Sequence, residues 1–269
     1  MVGVEDLATS EPTLRAAAFI TIAVLLIAAE RLWPRRTFRP WPMIRTNVGL
    51  LIANTLIVRL VSTTSLVGLA FYAADQGWGA LNVTAGPVWL EFIVAVVILD
   101  LVLYAQHRVL HWLPWLWRLH SVHHADSAFD VTTGVRFHPG EIIVSLAIKA
   151  LAVIVVGASP MATLVFEILL SSASLFTHAN LALPPRFEAG LRQLIVTPEM
   201  HRVHHSHDPE EHNRNYGFLI SAWDRWFGSY RGEAALPQAR MHIGLGDVPE
   251  IEAQKLGAML ALPFKRPVH

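Results

Sequence analysis

The sequence predicts an all-α protein, a polytopic membrane helical bundle of about four or five spanning or re-entrant helices with a histidine-rich helical cap on its cytoplasmic side. Three observations predict this class. Hydrophobic residues fill 53% of the 269 positions, charged residues fill 16%, and the mean hydropathy is +0.42, whereas soluble domains are roughly 25% charged. Long apolar stretches recur along the chain. Twelve of the 14 histidines lie between His107 and His212.

The composition also excludes several classes of partner and site. Lys and Arg number 21, as do Asp and Glu, so the chain lacks the basic excess of a nucleic-acid-binding protein, and no nucleic-acid partner is expected. There is no cysteine. That absence excludes disulfides, thiolate zinc sites and cysteine-ligated iron–sulfur clusters.

The apolar stretches can supply the spans in turn. Residues 14–34 form the first, expected to remain uncleaved because acidic rather than basic residues precede it. Residues 46–74 carry a single charge, Arg59, and form either one span or a broken, re-entrant pair. Residues 86–106 form the next span. Residues 142–183 are long enough for two spans of about 20 residues, with a turn at residues 157–160.

Basic residues decide the predicted orientation. The link between the first two stretches is crowded with Arg31, Arg35, Arg36, Arg39 and Arg45. Cytoplasmic loops carry an excess of Lys and Arg, so this link is placed in the cytoplasm. Residues 75–87 contain neither residue type, as expected outside the membrane. The alternation then brings every histidine cluster to the cytoplasmic face, which the polar tail of residues 184–269 is expected to cap.

The clustered histidines fall into four pieces. Residues 107–111 read HxxxH, residues 120–124 and 201–205 each read HxxHH, and His178 lies near the end of the last apolar stretch. Residues at i and i+3 or i+4 share a helix face, so each motif directs two imidazoles to a common centre. The adjacent third histidine points about 100° away. Nine imidazoles exceed the ligands of one zinc ion, so the pieces predict two metals, whose identity imidazole alone does not decide.

This order of motifs on hydrophobic helices resembles the fatty acid hydroxylase/sterol desaturase superfamily of integral-membrane non-haem di-iron oxygenases. Local matches agree: His107-Arg108, Arg136-Phe137-His138-Pro139, His178-Ala179-Asn180, Asn215-Tyr216-Gly217 and Trp223-Asp224-Arg225-Trp226-Phe227-Gly228. The similarity covers about residues 91–230. It implies a di-iron catalytic region in residues 107–231 that includes a transmembrane hairpin at 142–183, whereas the transmembrane helices of residues 1–106 and the cytoplasmic tail of residues 232–269 are predicted from the apolar and charged stretches alone.

The resemblance implies a set of iron ligands. They are His107, His111, His120, His123, His124, His178, His201, His204 and His205, which would hold two irons. His138 is a plausible tenth ligand or else a loop residue before a helix. His207 and His212 are extra to the motifs, and His212 is a possible additional ligand that closes the site.

Four further side chains are candidates for supporting the ligands: Asp100, Tyr104, Asn180 and Asp208. Asp100 and Tyr104 share a helix face with the HxxxH motif, and a carboxylate in a membrane segment is costly enough to suggest a role. Asp100 is therefore expected to accept a hydrogen bond from a ligand histidine. Asp126, Asp130 and Glu199 flank the motifs and are expected to be solvated charges.

The resemblance implies a reaction class. A di-iron centre would use O₂ and external electrons to hydroxylate or desaturate a C–H bond of a lipid, such as a sterol or fatty acyl chain. The chain has no dinucleotide motif and no cysteine, so the electrons would come from a separate reductase with a ferredoxin-like or cytochrome-type carrier. A bacterial inner membrane is the expected location, with the metals on the cytoplasmic side.

Three alternatives stay open at the level of sequence. A zinc-dependent membrane hydrolase would need fewer imidazoles and commonly carries HExxH, which is absent. A metal transporter or storage protein would place its ligands near the middle of the spans. An inactive family member with a structural metal would keep the motifs without turnover.

Overall fold

In this computed structural model, the described residues are 4–37, 42–84 and 86–265, so Arg39 and residues 266–269 of the tail lie outside them. The first eight helices are α1 Val4–Leu32, α2 Pro42–Val61, α3 Leu66–Asp75, α4 Ala80–Val83, α5 Val88–Trp112, α6 Pro114–His124, α7 Pro139–Val156 and α8 Pro160–Thr177. Shorter helices follow: α9 Pro185–Leu191, α10 Pro198–His204, α11 Pro209–His212, α12 Ala222–Trp226, α13 Glu250–Ala253 and α14 Leu256–Lys265. Two 3₁₀ helices span Val131–Val135 and Gln238–Arg240.

The all-α membrane bundle is confirmed. Among the described residues, five segments are long and apolar enough to cross a membrane: Thr9–Leu32, Pro42–Val83, Val88–Trp112, Pro139–Val156 and Pro160–Thr177. The described ranges contain no extended strand, only isolated bridges between loops. In a bilayer this arrangement leaves no backbone edge exposed to lipid, because helices satisfy their own hydrogen bonds.

The second apolar stretch is broken in two. Helix α2 ends at Val61, and α3 starts after Ser65, whose hydroxyl accepts a hydrogen bond from Gly68 N. A ten-residue helix such as α3 is roughly 15 Å long, half of the hydrocarbon core. Of the two arrangements left open by the sequence, the broken pair is the one observed, with its break just beyond Arg59.

The predicted hairpin at residues 157–160 is also present. Gly157 ends α7 in the left-handed region at φ 72°, and the Ser159 hydroxyl caps α8 by accepting from Ala162 N. Helices α7 and α8 both pack on α5. The shared core places Leu99 and Leu103 of α5 against Val153 and Phe166. This packing brings the carboxyl ends of α5 and α8, with their histidines, to the same end of the bundle.

The remaining helices cover that histidine end. Helix α14 packs on α6, and Met259 is fully buried there beside Val122. Arg136 lies beneath them, with no exposed surface, and its guanidinium donates to Val122 O at 2.7 Å, Asn47 Oδ1 at 2.7 Å and Ala253 O at 2.9 Å. The tail therefore joins the bundle through a buried arginine.

Two carboxylates next to the histidine motifs, Asp126 and Asp130, were expected to be solvated. Both are buried in the structure. Asp126 accepts hydrogen bonds from Asn47 Nδ2 and Thr133 Oγ1, and Asp130 caps the first 3₁₀ helix by accepting from Thr132 N. They are buried because the loop after α6 folds under the helices that cover the histidine end, which we call the cap. There, hydrogen-bond donors of the protein replace water.

Candidate metal centre

The structure brings nine histidines together in two groups. Among the described residues, one group contains His107, His111, His120, His124 and His204, and the other contains His123, His178, His201 and His205. Within each group the ring nitrogens offered as ligands lie within 4.8 Å of one another. The nine members are the nine histidines singled out by the sequence motifs. Whether they ligate metal stays a prediction.

Helix geometry divides each HxxHH motif between the two groups, whereas both histidines of HxxxH enter the first. His120 and His124, one turn apart on α6, enter the first group, and His123 enters the second. At α10 the division is reversed, because His201 and His205 enter the second group and His204 enters the first. Residues at i and i+4 therefore stay together, and the histidine at i+3 serves the neighbouring group.

Protein acceptors fix the ring orientation of five imidazoles through Nδ1. His107 Nδ1 lies 2.8 Å from Tyr216 O, and His120 Nδ1 lies 2.8 Å from Glu141 Oε1. The other three contacts are His123 Nδ1 to Arg136 O at 3.1 Å, His178 Nδ1 to Ser174 O at 2.6 Å and His204 Nδ1 to Arg214 O at 2.7 Å. An oxygen acceptor requires the proton on Nδ1. The lone pair of a neutral ring then lies on Nε2.

Those Nε2 atoms point at one another. His107 Nε2 and His120 Nε2 are 3.1 Å apart, and His123 Nε2 and His178 Nε2 are also 3.1 Å apart. In both pairs each Nδ1 already donates to oxygen, so two lone pairs face each other with no proton between them. A metal cation between the nitrogens relieves this arrangement, because each Nε2 can then donate its lone pair to the same ion.

The spacing suits a transition-metal ion. Two imidazoles bound at roughly 2.1 Å and at right angles place their nitrogens roughly 3.0 Å apart. The structure has His201 Nε2 and His205 Nε2 at 3.0 and 3.1 Å from His178 Nε2. Both ring nitrogens of His111 are buried without a hydrogen-bond partner in the described part of the chain. The donor set therefore fits two metal ions, one at each group.

The imidazoles are held in the neutral form that binds metal. Burial lowers the pKa of His124, His204 and His205 well below the usual range, and neighbouring imidazoles lower these pKa values further. Burial also lowers the pKa of His178 to about 4. At neutral pH these rings carry no proton that a metal would have to displace.

Three predicted site residues lie apart from both groups. His138 caps α7, with Nδ1 accepting from Gly140 N, and its Nε2 lies 3.2 Å from Leu260 O. His212 stacks on Trp117 with ring centroids 5.4 Å apart and lies 6.1 Å from the His111 ring. Asp208 is exposed and caps α11. None of them joins the histidine groups found among the described residues.

The expected role of Asp100 needs correction. Its carboxylate accepts hydrogen bonds from Trp223 Nε1, Ile220 N and Leu219 N, and not from a histidine of the described chain. These bonds fasten α5 to the segment whose Tyr216 carbonyl orients His107. The support is indirect, because the Asp100 side chain faces this segment and Asp100 precedes His107 by seven residues, roughly two helix turns.

Tyr104 and Asn180 also act through other segments. Tyr104 shares a 2.7 Å hydrogen bond with Ser229 Oγ, and its ring stacks on Phe227. Asn180 exchanges hydrogen bonds with the backbone of Arg36 through both side-chain atoms. Tyr104 thus holds the segment after α12, and Asn180 the link after α1, against the histidine end.

Sequence reasoning did not identify Glu141, Tyr216 or Trp117. Glu141 orients His120, the Tyr216 carbonyl orients His107, and the Trp117 ring lies 4.8 Å from His111. Two signals were available: Glu141 is a carboxylate in the first turn of an apolar helix directly after the matched Arg-Phe-His-Pro, and Tyr216 lies in the matched Asn-Tyr-Gly.

Comparison with known proteins decides the family. Residues 92–229, about half of the chain, match the family model described as fatty acid hydroxylase. The chain belongs to the fatty acid hydroxylase family. This confirms the resemblance, and the matched residues include all nine histidines of the two groups.

Relatives of this fatty acid hydroxylase family member act on lipids. An ornithine lipid hydroxylase from Rhizobium tropici is 27% identical over 93% of this chain and 73% of its own length. Alkylglycerol monooxygenases from Danio rerio and Homo sapiens are 29% and 26% identical over 54% and 48% of this chain. The alignment spans less than a third of either monooxygenase, at 31% and 28%. No solved structure matches the chain.

Proposed function

We propose that the chain is a multi-pass membrane oxidoreductase that hydroxylates a membrane lipid at a centre of two iron ions. One ion would lie at the group of His107, His111, His120, His124 and His204, and the other at the group of His123, His178, His201 and His205. The relatives that are lipid hydroxylases and monooxygenases support the reaction class.

One observation carries the proposal: the two pairs of Nε2 atoms that face each other at 3.1 Å while their Nδ1 atoms donate to oxygen. Buried lone pairs that face each other are costly without a partner, and a metal cation is the partner that fits both nitrogens. Iron bound there would supply the oxidising power to insert one atom of O₂ into a C–H bond, and the other atom would leave as water. The balance needs two electrons and two protons.

The residues of the chain orient the ligands and exclude water. Glu141 and the carbonyls of Tyr216, Arg136, Ser174 and Arg214 hold the imidazoles in the tautomer that presents Nε2. Burial of all nine rings except the half-buried His111 keeps the site dry, which protects a reactive oxidant from side reactions. Phe137 stacks on His123 with ring centroids 4.6 Å apart and covers one face of that imidazole.

The proposal includes the electron source and the sidedness. A separate reductase with a ferredoxin-like or cytochrome-type carrier would supply the electrons. The arginine-rich link before α2 and the histidine end would lie in the cytoplasm, where reduced nicotinamide cofactors are available.

Metal analysis of detergent-purified protein from iron-replete cells tests the proposal. We expect close to two irons per chain, and loss of bound iron in His123→Ala and His204→Ala, since each removes a ligand of one group. His207→Ala, an exposed histidine outside both groups, is the matched control and should keep its iron.

Turnover provides the second readout. Membranes that contain the protein, supplied with a reductase and carrier, should consume O₂ and add one oxygen to a lipid, detected by mass spectrometry. Zinc retained despite ample iron, with no O₂ consumed, would instead favour a hydrolase or a metal-handling protein. Iron without turnover under any reductant would favour an inactive family member.

A further inference from the structure

A half-open cavity lies beside the histidine groups and extends towards the middle of the bundle. It has a volume of about 240 Å³ and is bounded by α1, α2, α5, α7 and α8; we call it the membrane cavity. Three lining side chains touch the candidate metal centre. Phe137 stacks on His123, Phe218 lies 5.0 Å from His107, and Glu141 bonds to His120. The cavity therefore lies next to both groups, one side chain away from the histidine rings.

Four oxygens in the cavity lining have no hydrogen-bond partner among the described residues. They are Asn54 Oδ1, Gln106 Oε1, Glu141 Oε2 and Glu167 Oε2. All four residues are more than nine-tenths buried. Each atom is a hydrogen-bond acceptor, and a buried acceptor without a donor is costly. Four of them along one cavity indicate a ligand that donates hydrogen bonds.

Three of these acceptors lie at the metal end. Gln106 directly precedes His107, and Glu141 Oε1 already bonds to His120. Asn54 Nδ2 donates to Phe137 O, which fixes its Oδ1 as the free atom. The polar part of a ligand would accordingly lie beside the histidines, not at the far end of the cavity.

The fourth acceptor lies deeper, among charges. Glu167 Oε1 pairs with Arg15 at 3.1 Å, and Lys149 lies nearby on α7, two turns or roughly 12 Å from Glu141. Arg15, Asn54 and Glu167 also line a second, wider groove between α1 and α2. A lipid that enters along this groove meets Asn54 and Glu167 there, and then Gln106 and Glu141 deeper in the cavity at the metal end.

We propose that the membrane cavity selects a lipid whose polar end carries hydrogen-bond donors, such as ammonium, amide N–H or hydroxyl groups, and presents that end to the metals. The oxidised carbon then lies in the headgroup or directly beside it, and the acyl tail extends back through the groove. This inference rests on the proposed lipid hydroxylation for its regiochemistry, but the binding preference does not depend on turnover.

Three palmitoyl probes that differ in the polar end test the preference on the metal-loaded, full-length protein. N-palmitoyl-ornithine offers ammonium and amide N–H donors, 1-palmitoylglycerol offers hydroxyls, and methyl palmitate offers none. We expect at least one of the donor-bearing probes to bind about tenfold more tightly than methyl palmitate. The tighter of the two identifies whether nitrogen or hydroxyl donors are the natural group. Equal Kd values for all three overturn the inference.

Two variants assign the preference to the cavity. Gln106→Leu removes one acceptor. The ratio of the Kd of methyl palmitate to the Kd of the tighter donor-bearing probe should therefore fall about fivefold, while the Kd of methyl palmitate itself is unchanged. Glu167→Gln keeps an oxygen for Arg15 and the size of the side chain, but it turns the free acceptor into a donor. It should therefore also lower this ratio of Kd values. Gln193→Leu, at an exposed position outside the cavity, is the matched control and should leave all Kd values unchanged. Equal weakening of every probe by both cavity variants would mean a packing role only.

Product mapping separates this inference from the proposed function. Tandem mass spectrometry of the lipid formed in membranes should place the new hydroxyl in the headgroup or on the adjoining carbon. A hydroxyl in the middle of the acyl chain would overturn the inference and leave the hydroxylase proposal standing. Selective binding without any oxidised product would overturn the proposed function and leave the binding preference standing.

Discussion

At the scale of single residues, Asp130 is a carboxylate whose ionisation the fold opposes. Burial raises its pKa to about 6 from 3.8, the nearby Asp126 charge raises it further, and hydrogen bonds from Thr132 oppose the change. Because the folded-state pKa lies above the unfolded one, the folded protein binds this proton more tightly. Its contribution to stability is therefore present below about pH 4 and is lost as pH rises to about 6.

Asp130→Asn removes this pH dependence. The asparagine keeps an oxygen to accept from Thr132 and carries no charge. A pKa displaced from 3.8 to about 6 corresponds to roughly 3 kcal/mol, so the Tm of the variant should rise relative to wild type by several degrees between pH 4.5 and 6.5. Thermal denaturation in detergent across this range measures the difference.

The control is Asp208→Asn, which replaces an exposed carboxylate that also caps a helix. Its Tm difference from wild type should vary little with pH. A constant difference for Asp130→Asn as well would show that the folded and unfolded states hold this proton equally.

Side chains of the candidate site were largely predictable, but their partners were not. The spacing of HxxxH and HxxHH predicts that these imidazoles converge, because a helix has a fixed period, but it left open whether the i+3 or the i+4 histidine shares a centre with the first. The carbonyls of Tyr216 and Arg214 carry no sequence signal, since every residue has one. Asp100 was misassigned for a related reason, because its helix face could be predicted and the segment packed against that face could not.

At the scale of elements, the loop before α4 and the turn between α7 and α8 approach without side chains between them. Gly79 has φ 95°, and a Cβ added there would overlap Gly157 N and Ile154 O. The contact joins the end of the broken second stretch to the hairpin on the side away from the histidines. Glycine is required at Gly79 both for its conformation and for this approach.

Gly79→Ala should therefore destabilise the protein through a backbone overlap. The matched control is Gly77→Ala, two residues earlier, which also has a positive φ of 66° but no atom within 4 Å of an added Cβ. We expect Gly79→Ala to lose roughly 1–3 kcal/mol more than the control, since overpacking adds to the conformational cost. Thermal denaturation of both variants checks this, and equal losses would mean that φ alone matters at Gly79.

The elements differ in how far sequence could predict them. The hairpin was predictable because Gly157 and Pro160 stop and restart a helix in any context. The break between α2 and α3 was left open because Ser62, Thr63, Thr64 and Ser65 are compatible with an unbroken helix. Packing of α3 against α7 and α8, a tertiary effect, selects the broken form.

At the scale of the whole molecule, segments far apart in the sequence meet beneath the histidine end. Arg136 is the junction, since its guanidinium joins α2 through Asn47, α6 through Val122 and the C-terminal segment through Ala253. Its own carbonyl accepts from His123 Nδ1. The same residue thus links the stability of the cap to the orientation of a candidate ligand.

Arg136→Lys should weaken both the stability of the cap and the orientation of His123. A lysine keeps the positive charge but cannot span three acceptors in the planar geometry of a guanidinium, so at least one buried acceptor loses its donor. We expect a loss of roughly 1–3 kcal/mol in the free energy of unfolding and a fall in iron per chain. Arg240→Lys, an exposed arginine of the same tail, is the control and should change neither. A lower Tm with full iron content would confine Arg136 to holding the tail, whereas loss of iron at a temperature where the variant is folded would show that the junction also sets the position of His123.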